Sequence, residues 1–311
     1  MEAIERKKKK ETAISALLDK IVGIHFVYTR WSGCFQKKDH NMSGYYRKIE
    51  VCPTEDLRFY YRIRHAAFDR LIWRYGIPFM GFWIISNNDT NTVREDLTKY
   101  REEYFMHVEG LRNNFPKYID KLWQTEPELA RKLDGPDFAL SEIMDRFKFE
   151  WNIFKLALPD GYTDRINFLE RMERFDVLLF NDMALTARRM LTTVDMDRPR
   201  ITSRVVPPLQ ILKKKLEKFK FITPLAGAGV RLIDTALLDV PEKGRVKPSI
   251  HALMKRIDRL IRDANAFMEA CRKVIDGVST LKVLRSQDLM KPELSSLGRD
   301  VSDLEFLIYD K

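Results

Sequence analysis

Three long stretches in which apolar residues recur every three or four positions constrain this chain more than any other feature. The first runs from Val93 to Leu122, the second from Ile166 to Val194, and the third, which is close to a strict heptad, from Ile250 to Val278. A helix with this spacing has an apolar stripe along its length and is not stable alone in water. The stripes therefore predict a mainly α fold, an elongated antiparallel helical bundle with coiled-coil character.

The N-terminal part of the chain has a different pattern and predicts a small strand-containing segment. A helix is expected over residues 11–22, and the aromatic, Gly- and Ser-containing stretch from Ile24 to Val51 is typical of short strands joined by turns. A second helix is predicted from Glu55 to Tyr75. The apolar stretch Ile77–Ile85 then predicts a strand that pairs with the Phe26–Trp31 region.

Changes of pattern along the chain predict three consecutive segments. Residues 1–88 would form the helix and short-strand segment, residues 89–197 a long-helix bundle, and residues 198–311 a basic linker with C-terminal helices that pack on the bundle. Within the first long helix, Pro116 predicts a kink or a short break near Arg112, because proline removes a helical hydrogen bond.

The net charge of +10 is concentrated in two short segments. The first ten residues hold five basic and two acidic side chains, and Arg198 to Lys220 holds eight basic side chains against the single Glu217. A concentrated basic stripe attracts polyanions better than dispersed charge, and it also suits an acidic partner surface or anionic lipid. The alternative is a solvated basic helix that only keeps the protein in solution. The predicted contact residues are Arg198, Arg200, Arg204, Lys213, Lys214, Lys215, Lys218 and Lys220.

Part of this basic segment is predicted to be an amphipathic helix that begins at Pro207-Pro208. Its apolar face consists of Leu209, Leu212, Leu216 and Phe219, and its lysines are expected beside or opposite that face. The stripe has no aromatic residues interleaved with the lysines and no known base-reading motif around it. General electrostatic contact is therefore expected rather than sequence-specific recognition.

No constellation of residues predicts catalysis, a metal or a cofactor. Gly227-Ala228-Gly229 begins like a dinucleotide fingerprint, but Leu232 stands where the third glycine is required, so a turn at a helix start is the better interpretation. Glu103 and His107 are four residues apart, whereas a carboxylate-bridged metal site needs Glu-x-x-His twice. The chain is therefore predicted to be no enzyme and to need no cofactor.

The cysteines and the apolar segments indicate the compartment. Cys34, Cys52 and Cys271 are too few and too scattered for a disulfide framework or a zinc site, and Cys271 is expected to pack as a small hydrophobe. No signal peptide and no apolar stretch long enough to cross a membrane is recognisable in the sequence. These features predict a cytoplasmic protein without a membrane partner.

One order of segments resembles a known family. Trp31-Ser32-Gly33 is followed by an arginine-containing helix, then by Tyr75–Ile85, and directly afterwards by a long helix that contains Arg101-Glu102-Glu103-Tyr104-Phe105. Over about Val22 to Glu128, this order resembles the bacterial and phage family named domain of unknown function 3150. The resemblance implies an accessory protein of plasmids, integrative elements or phages that is encoded near AAA+ ATPases, and it carries over no catalytic residues. The arginines of the helix that follows Trp31-Ser32-Gly33 in this order are Arg58, Arg62, Arg64 and Arg70.

Two functions follow, and the sequence leaves both open. The first is a non-enzymatic helical adaptor or scaffold protein of a bacterial mobile element or phage, which acts in a complex with an AAA+ ATPase and could form a homo-oligomer. The second is a nucleic-acid-associated protein that contacts phosphates through the basic segment and Arg6 to Lys10. A third hypothesis, an enzyme with an unfamiliar site, rests only on Trp31, Cys34, His40 and Trp83.

Overall fold

The computed structural model describes residues 11–38, 46–135, 140–191, 196, 203–242 and 244–286. Helices dominate this part of the chain, so the prediction of a mainly α fold is confirmed. The helices are α1 (residues 11–18), α2 (Thr54–Phe68), α3 (Thr90–Thr125), α4 (Pro127–Leu133), α5 (Leu140–Met144), α6 (Tyr162–Glu173), α7 (Phe175–Met190), α8 (Val206–Phe219), α9 (Pro224–Leu237), α10 (Pro248–Ile261), α11 (Ala264–Ile275) and α12 (Thr280–Arg285).

The strands form two small sheets. The sequence predicted strands only in the N-terminal segment, but one strand lies further along the chain, between α5 and α6. A four-stranded sheet has the order β4-β5-β1-β6, and β2 pairs with β3 in an antiparallel two-stranded sheet. The sixth strand follows α5 along the chain. Its side chains alternate between the two faces of the sheet, so Phe149 is buried while its two neighbours are exposed. The strands are β1 (Ile21–Thr29), β2 (Cys34–Lys38), β3 (Tyr46–Glu50), β4 (Gly76–Phe79), β5 (Phe82–Ser86) and β6 (Lys148–Lys155).

The chain divides into two compact units that do not follow the three consecutive segments predicted from the sequence. Unit 1 contains Met1–Gly23, Ile72–Asn88 and Lys155–Lys311, and unit 2 contains Ile24–Leu71 and Asp89–Phe154. Each unit therefore combines segments that are far apart along the chain. In unit 1, for example, α7 packs against β4 of the hairpin.

The three apolar stripes form one long helix and two pairs of shorter helices. The second stripe is divided at Arg174, which lies between α6 and α7, and the third is divided between α10 and α11. At that second division Asp263 caps α11, since its side chain accepts a hydrogen bond of 3.1 Å from the backbone N–H of Ala266. The coiled-coil prediction rested on three long continuous helices. Among the described residues only the first stripe forms such a helix, α3, so coiled-coil character is not confirmed.

Of the predicted kink or short break near Arg112, the break is wrong, because α3 is one helix of 36 residues that includes Pro116, and the kink stays a prediction. Pro116 and Arg112 both lie on the exposed side of the helix. Water can therefore hydrate the carbonyl group that loses its helical partner to the proline. The opposite side of α3 buries the apolar stripe from Val93 to Leu122.

The apolar stretch Ile77–Ile85 folds as a hairpin rather than as a single strand. Phe79 lies opposite Phe82 in the antiparallel β4–β5 pair, and Met80 and Gly81 at the turn have φ angles of 46° and 85°. Positive φ at both central positions is the turn geometry that matches the twist of the flanking strands. The first helix is also shorter than predicted, since it ends at residue 18 and the chain enters β1 at Ile21.

Close helix packing in unit 1 explains the Gly227-Ala228-Gly229 sequence. These residues lie in the first two turns of α9, and a Cβ atom on Gly229 would be 2.9 Å from Leu216 Cδ1 and 3.2 Å from Phe267 Cζ. Gly229 thus permits α9 to approach its neighbours. Cys271 lies against the same glycine and is fully buried, which confirms its prediction as a small core hydrophobe.

Candidate interaction surfaces

The lysines of α8 do not form one solvated stripe, because the fold places each of them differently. Lys215 is completely buried and its ammonium group donates a hydrogen bond to the carboxylate of Asp182, which is itself 5% exposed. Burial lowers the pKa of Lys215 and raises the pKa of Asp182, and the attraction between the two groups opposes both shifts. The prediction that Lys215 contacts a polyanion is therefore wrong.

The position of Lys215 in the core follows from the spacing of the apolar residues. Lys215 is three residues after Leu212 and four before Phe219, both of which are fully buried, so it lies on the buried face of α8. Its ammonium group needs a partner there, since an unpaired buried charge is very costly. Asp182 on α7 supplies the partner.

Two further lysines of α8 are engaged at the surface. Lys213 Nζ lies 2.6 Å from Asp234 Oδ1 and 3.6 Å from Glu217 Oε1, and the hydrogen bond that Lys213 donates to Asp234 raises the pKa of Lys213. Lys218 Nζ lies 3.5 Å from the centroid of the Tyr75 ring, which is a cation–π contact. Lys213 is thus neutralised by two acids, and Lys218 lies against an aromatic ring.

The other predicted contact residues are exposed or lie outside the described residues. Lys214 and Lys220 are both exposed. Arg198 and Arg200 lie outside the described residues, as does the basic run at the N-terminus. The backbone of Arg204 lies in the short helical turn Ser203–Val205, and its side chain is outside the described part of the structure.

Unit 2 carries a set of arginines that lie over aromatic rings, which the sequence analysis did not identify as a site. We call it the α2 surface. Arg30 Cζ lies 3.9 Å from the centroid of Tyr61, Arg62 Cζ 4.7 Å from that of Phe59, and Arg64 Cζ 5.4 Å from that of Phe68. The members of the α2 surface are Arg30, Phe59, Tyr61, Arg62, Arg64 and Phe68.

Helical spacing explains why these side chains stay outside the core. The buried residues of α2 are Leu57, Tyr60, Ile63 and Ala67, so the side chains between them are left on the flanks and the outer face. Tyr61 is 44% exposed, which is unusual for so large an aromatic residue, and Arg30 also donates a hydrogen bond to its hydroxyl group. The signal that could have revealed this surface is the alternation of arginines with rings in Arg58-Phe59-Tyr60-Tyr61-Arg62-Ile63-Arg64.

The α2 surface packs on a layer of further aromatic side chains of unit 2. The ring of His107 on α3 stacks on Phe59 with a centroid separation of 3.2 Å. Burial lowers the pKa of His107, and the neighbouring Arg62 lowers it further, while Glu103 raises it. Below this layer, Tyr104 donates a hydrogen bond of 2.5 Å to the carbonyl of Thr29.

The net charge is divided unequally between the two units. Unit 2 holds 19 basic and 19 acidic side chains and is therefore neutral. The remaining 36 basic and 26 acidic side chains give unit 1 the whole net charge of +10. Long-range attraction of polyanions is thus expected from unit 1 and not from unit 2, which contains the α2 surface.

The hypothesis of an unfamiliar enzyme site stays a prediction, because one of the residues on which it rests lies outside the described residues. Trp31 is buried, Cys34 lies half-buried in β2 with a free thiol, and His40 is outside the described residues. In the part of the chain that the structure describes, no group of three His, Cys, Asp or Glu is placed to hold a metal ion. No helix within the same ranges is both long and apolar enough to cross a membrane.

A cavity of about 620 Å³ opens beside the hairpin turn of unit 1. Its walls combine the exposed Met80 with two arginines, two acids and the ring of Phe168. This mixture of charges favours no single class of ligand. The lining residues are Met80, Pro159, Asp164, Asn167, Phe168, Glu170, Arg171 and Arg174.

Comparison with known proteins gives one match. The model of the family described as "Protein of unknown function (DUF3150)" matches residues 47–260, which is 214 of the 311 residues. The matched region includes α2, α3 and α8. No curated protein and no solved structure shows significant similarity to the chain.

Proposed function

We propose that this chain, which belongs to the DUF3150 family, is a non-enzymatic adaptor that binds a protein partner through the α2 surface. The partner presents acidic side chains next to apolar ones. The observation that carries the proposal is the set of three arginine–ring contacts along one helix, on which Tyr61 is 44% exposed.

The side chains of the α2 surface are of types that are common at protein–protein interfaces. Tyrosine and arginine are enriched at the residues that contribute most to protein–protein binding, because they combine large contact area with directed hydrogen bonds. A guanidinium group that already lies on a ring loses less conformational freedom when it meets a carboxylate. The contacts of Arg30 with Tyr61 and of Arg62 with Phe59 therefore prepare both arginines for acidic groups.

The charge of unit 2 favours a protein over a nucleic acid as the partner of this surface. The unit is neutral overall, and Glu103 on α3 lies near Arg62, since both charges act on the pKa of His107. Acidic side chains next to the arginines repel a polyanion but are compatible with a protein surface of mixed charge. A carboxylate partner gains from the arginines without needing a high net positive charge.

The identity of the partner as an AAA+ ATPase, and the mobile-element or phage setting, are proposed from the family resemblance. Residues of the α2 surface lie within or close to the region that carries this resemblance. An adaptor that presents a binding surface to an ATPase needs no catalytic residues of its own, so the proposal includes the absence of enzymatic activity.

The proposal is tested by affinity purification of the tagged chain from its native host, with nuclease treatment. The Tyr61→Ala/Arg62→Ala variant removes one ring and one cation from the α2 surface. The Trp123→Ala/Lys121→Ala variant removes the same two kinds of group from an exposed part of α3 and serves as the matched control. A protein that survives nuclease, binds the control variant and is lost with the α2 variant supports the proposal.

Two results would contradict it. Equal loss of the partner in both variants would show that the α2 surface has no special role. Recovery of nucleic acid alone, with every accompanying protein released by nuclease, would replace the protein partner with a polyanion. Circular dichroism of both variants establishes that they are folded, so that loss of binding is assigned to the surface.

A further inference from the structure

The side of α3 that points away from the core of unit 2 is exposed along the helix. Met106, in the middle of this side, is 64% exposed, which is the largest value for a large apolar residue among the described residues of unit 2. The exposed residues at helical spacing on this side are Lys99, Glu102, Met106, Glu109, Gly110, Asn113, Lys117 and Asp120. We call these eight residues the α3 surface.

Gly110 lies near the middle of the 36-residue helix, where glycine is less favourable than every residue except proline. A Cβ atom on Gly110 would meet no atom within 4 Å, so packing among the described residues does not require a glycine here. Gly229 differs, because a Cβ atom there would lie 2.9 Å from Leu216 Cδ1. The glycine at position 110 instead leaves the outer side of α3 open to the close approach of another backbone.

The charges of the α3 surface are not neutralised by other side chains in the part of the chain that the structure describes. Lys99, Glu102 and Asp120 make no ion pair there, although residues three apart on a helix are neighbours. Lys117 donates a hydrogen bond of 3.2 Å to the side-chain oxygen of Asn114 rather than to an acid. Two bases and two acids on one exposed side of α3 are therefore available to a partner.

The order of these charges is complementary to itself when the helix is reversed. In an antiparallel pair of α3 helices centred on Gly110, Lys99 of one copy faces Asp120 of the other, and Glu102 faces Lys117. A two-fold axis repeats both contacts, so the pair gains four ion pairs. A parallel pair in register would instead place each charge against the same charge of the other copy.

We infer that two copies of this chain form an antiparallel dimer through the α3 surface. In this register Gly110 of one copy lies against Glu109 of the other at the two-fold axis, where the absence of side chains on both glycines lets the helices approach. Met106 faces Asn113 beside that point, and its apolar side chain leaves the water. Glu109 already pairs with Arg112 on its own helix at 3.0 Å, so it brings no unpaired charge to the axis.

This dimer goes beyond the adaptor role, because it presents two α2 surfaces on one assembly. A partner that carries the matching site more than once is then held by two contacts, which strengthens binding without any new contact at either α2 surface. Helical spacing places Lys121 and Trp123 on the flanks of α3 and outside the α3 surface. They therefore serve as control positions for the α2 surface whether or not the chain is a dimer.

The test is sedimentation equilibrium of the full chain between about 1 and 100 µM. Glu102→Lys and Lys117→Glu each place like charges opposite one another at two points of the dimer. Either variant alone should dissociate at least about tenfold more easily than the wild type. An equimolar mixture of the two variants should associate about as tightly as the wild type, because the heterodimer restores both attractive pairs.

A third variant tests the close approach at Gly110. Gly110→Gln introduces a good helix former whose side chain finds open space in the single chain but not at the axis of the dimer. It should keep the helix content measured by circular dichroism and weaken association at least about tenfold. The controls Glu150→Lys and Lys148→Glu reverse exposed charges on β6 of the same unit and should change association less than about twofold.

Three outcomes would overturn the inference. The wild-type chain is a monomer at the highest concentration, or it associates equally well with Glu102→Lys, Lys117→Glu and Gly110→Gln, so that the contact lies elsewhere. Failure of the mixed variants to associate would exclude the antiparallel register. The adaptor proposal fails separately, since it is measured by loss of the partner from Tyr61→Ala/Arg62→Ala, which leaves the α3 surface unchanged.

Discussion

Lys215 donates a hydrogen bond to Asp182 in the interior of unit 1, and this pair links α8 to α7. Lys215 is fully buried and Asp182 is 5% exposed, so water solvates neither charge appreciably. Removing two charges from water costs several kcal/mol, and their mutual attraction offsets this cost only while both partners are present. A lysine in a basic stripe has thus become a structural group of the core.

Removing one member of this pair should therefore harm the protein more than removing both. Lys215→Met is expected to lower the free energy of unfolding by about 3–5 kcal/mol, because it leaves the Asp182 carboxylate without its buried partner. The double variant Lys215→Met/Asp182→Leu should recover most of this loss. Urea denaturation of the three chains measures both effects, and a double variant less stable than Lys215→Met would contradict the account.

The two glycines at the start of α9 should respond in opposite directions to the same substitution. Gly229→Ala places a methyl group 2.9 Å from Leu216 Cδ1, and such overpacking is expected to cost about 1–3 kcal/mol. Gly227→Ala meets no atom within 4 Å and should stabilise the helix by about 0.5–1 kcal/mol. Thermal unfolding distinguishes the two, and equal shifts would show that close packing at Gly229 is not the constraint.

The hairpin turn offers a substitution that should increase stability. Met80 has a φ of 46°, a left-handed conformation that is unfavourable for most side chains but is accepted by asparagine. Met80→Asn is therefore expected to raise the free energy of unfolding by several tenths of a kcal/mol to about 1 kcal/mol. Gly81→Val at the next position should lower it. A destabilised Met80→Asn chain would indicate that the Met80 side chain contributes packing that its 52% exposure does not suggest.

The lowered pKa of His107 predicts a specific dependence of stability on pH. Burial against the aromatic layer and the charge of Arg62 disfavour the protonated ring in the folded chain. The stabilising contribution is complete above the ordinary histidine pKa of 6.5 and is lost as the pH falls below it, because the unfolded chain then binds the proton more readily.

The measurement compares the free energy of unfolding of the wild type and His107→Phe at several pH values. Phenylalanine keeps the ring contact with Phe59 but cannot be protonated. The difference between the two chains should stay constant above the ordinary histidine pKa and shift in favour of His107→Phe as the solution becomes more acidic. A difference that does not change with pH would show that His107 is protonated equally easily in both states.

The sequence predicts the helical class of this fold correctly because apolar spacing reports burial along one helix. The same spacing could have placed Lys215 in the core, since it falls between Leu212 and Phe219 on the buried face. The division of the third stripe was also visible in principle, because Asp263 is a good helix cap. Each of these two signals involves only a few residues, whereas the apolar pattern that predicts long helices extends over about thirty residues.

Contacts between distant segments explain what the sequence could not show. Lys20 and Phe221 are 201 positions apart, yet Lys20 Nζ lies 5.6 Å from the centroid of the Phe221 ring. The division into two units has the same origin, since each unit is assembled from separate segments. The α2 surface combines five residues that are close together in the sequence with Arg30, which is 31 positions from Tyr61, and its arginine–ring contacts depend on side-chain geometry.

The most direct test of the adaptor proposal is site-specific photocrosslinking in the native host. A photoactivatable benzoylphenylalanine is placed at Tyr61 in one chain and at Trp123 in another, which are exposed by 44% and 37% in the same unit. The account predicts a discrete protein adduct from position 61 that resists nuclease, disappears with Arg62→Glu and is not formed from position 123. Equal adducts from both positions, or an adduct consisting of nucleic acid, would contradict it.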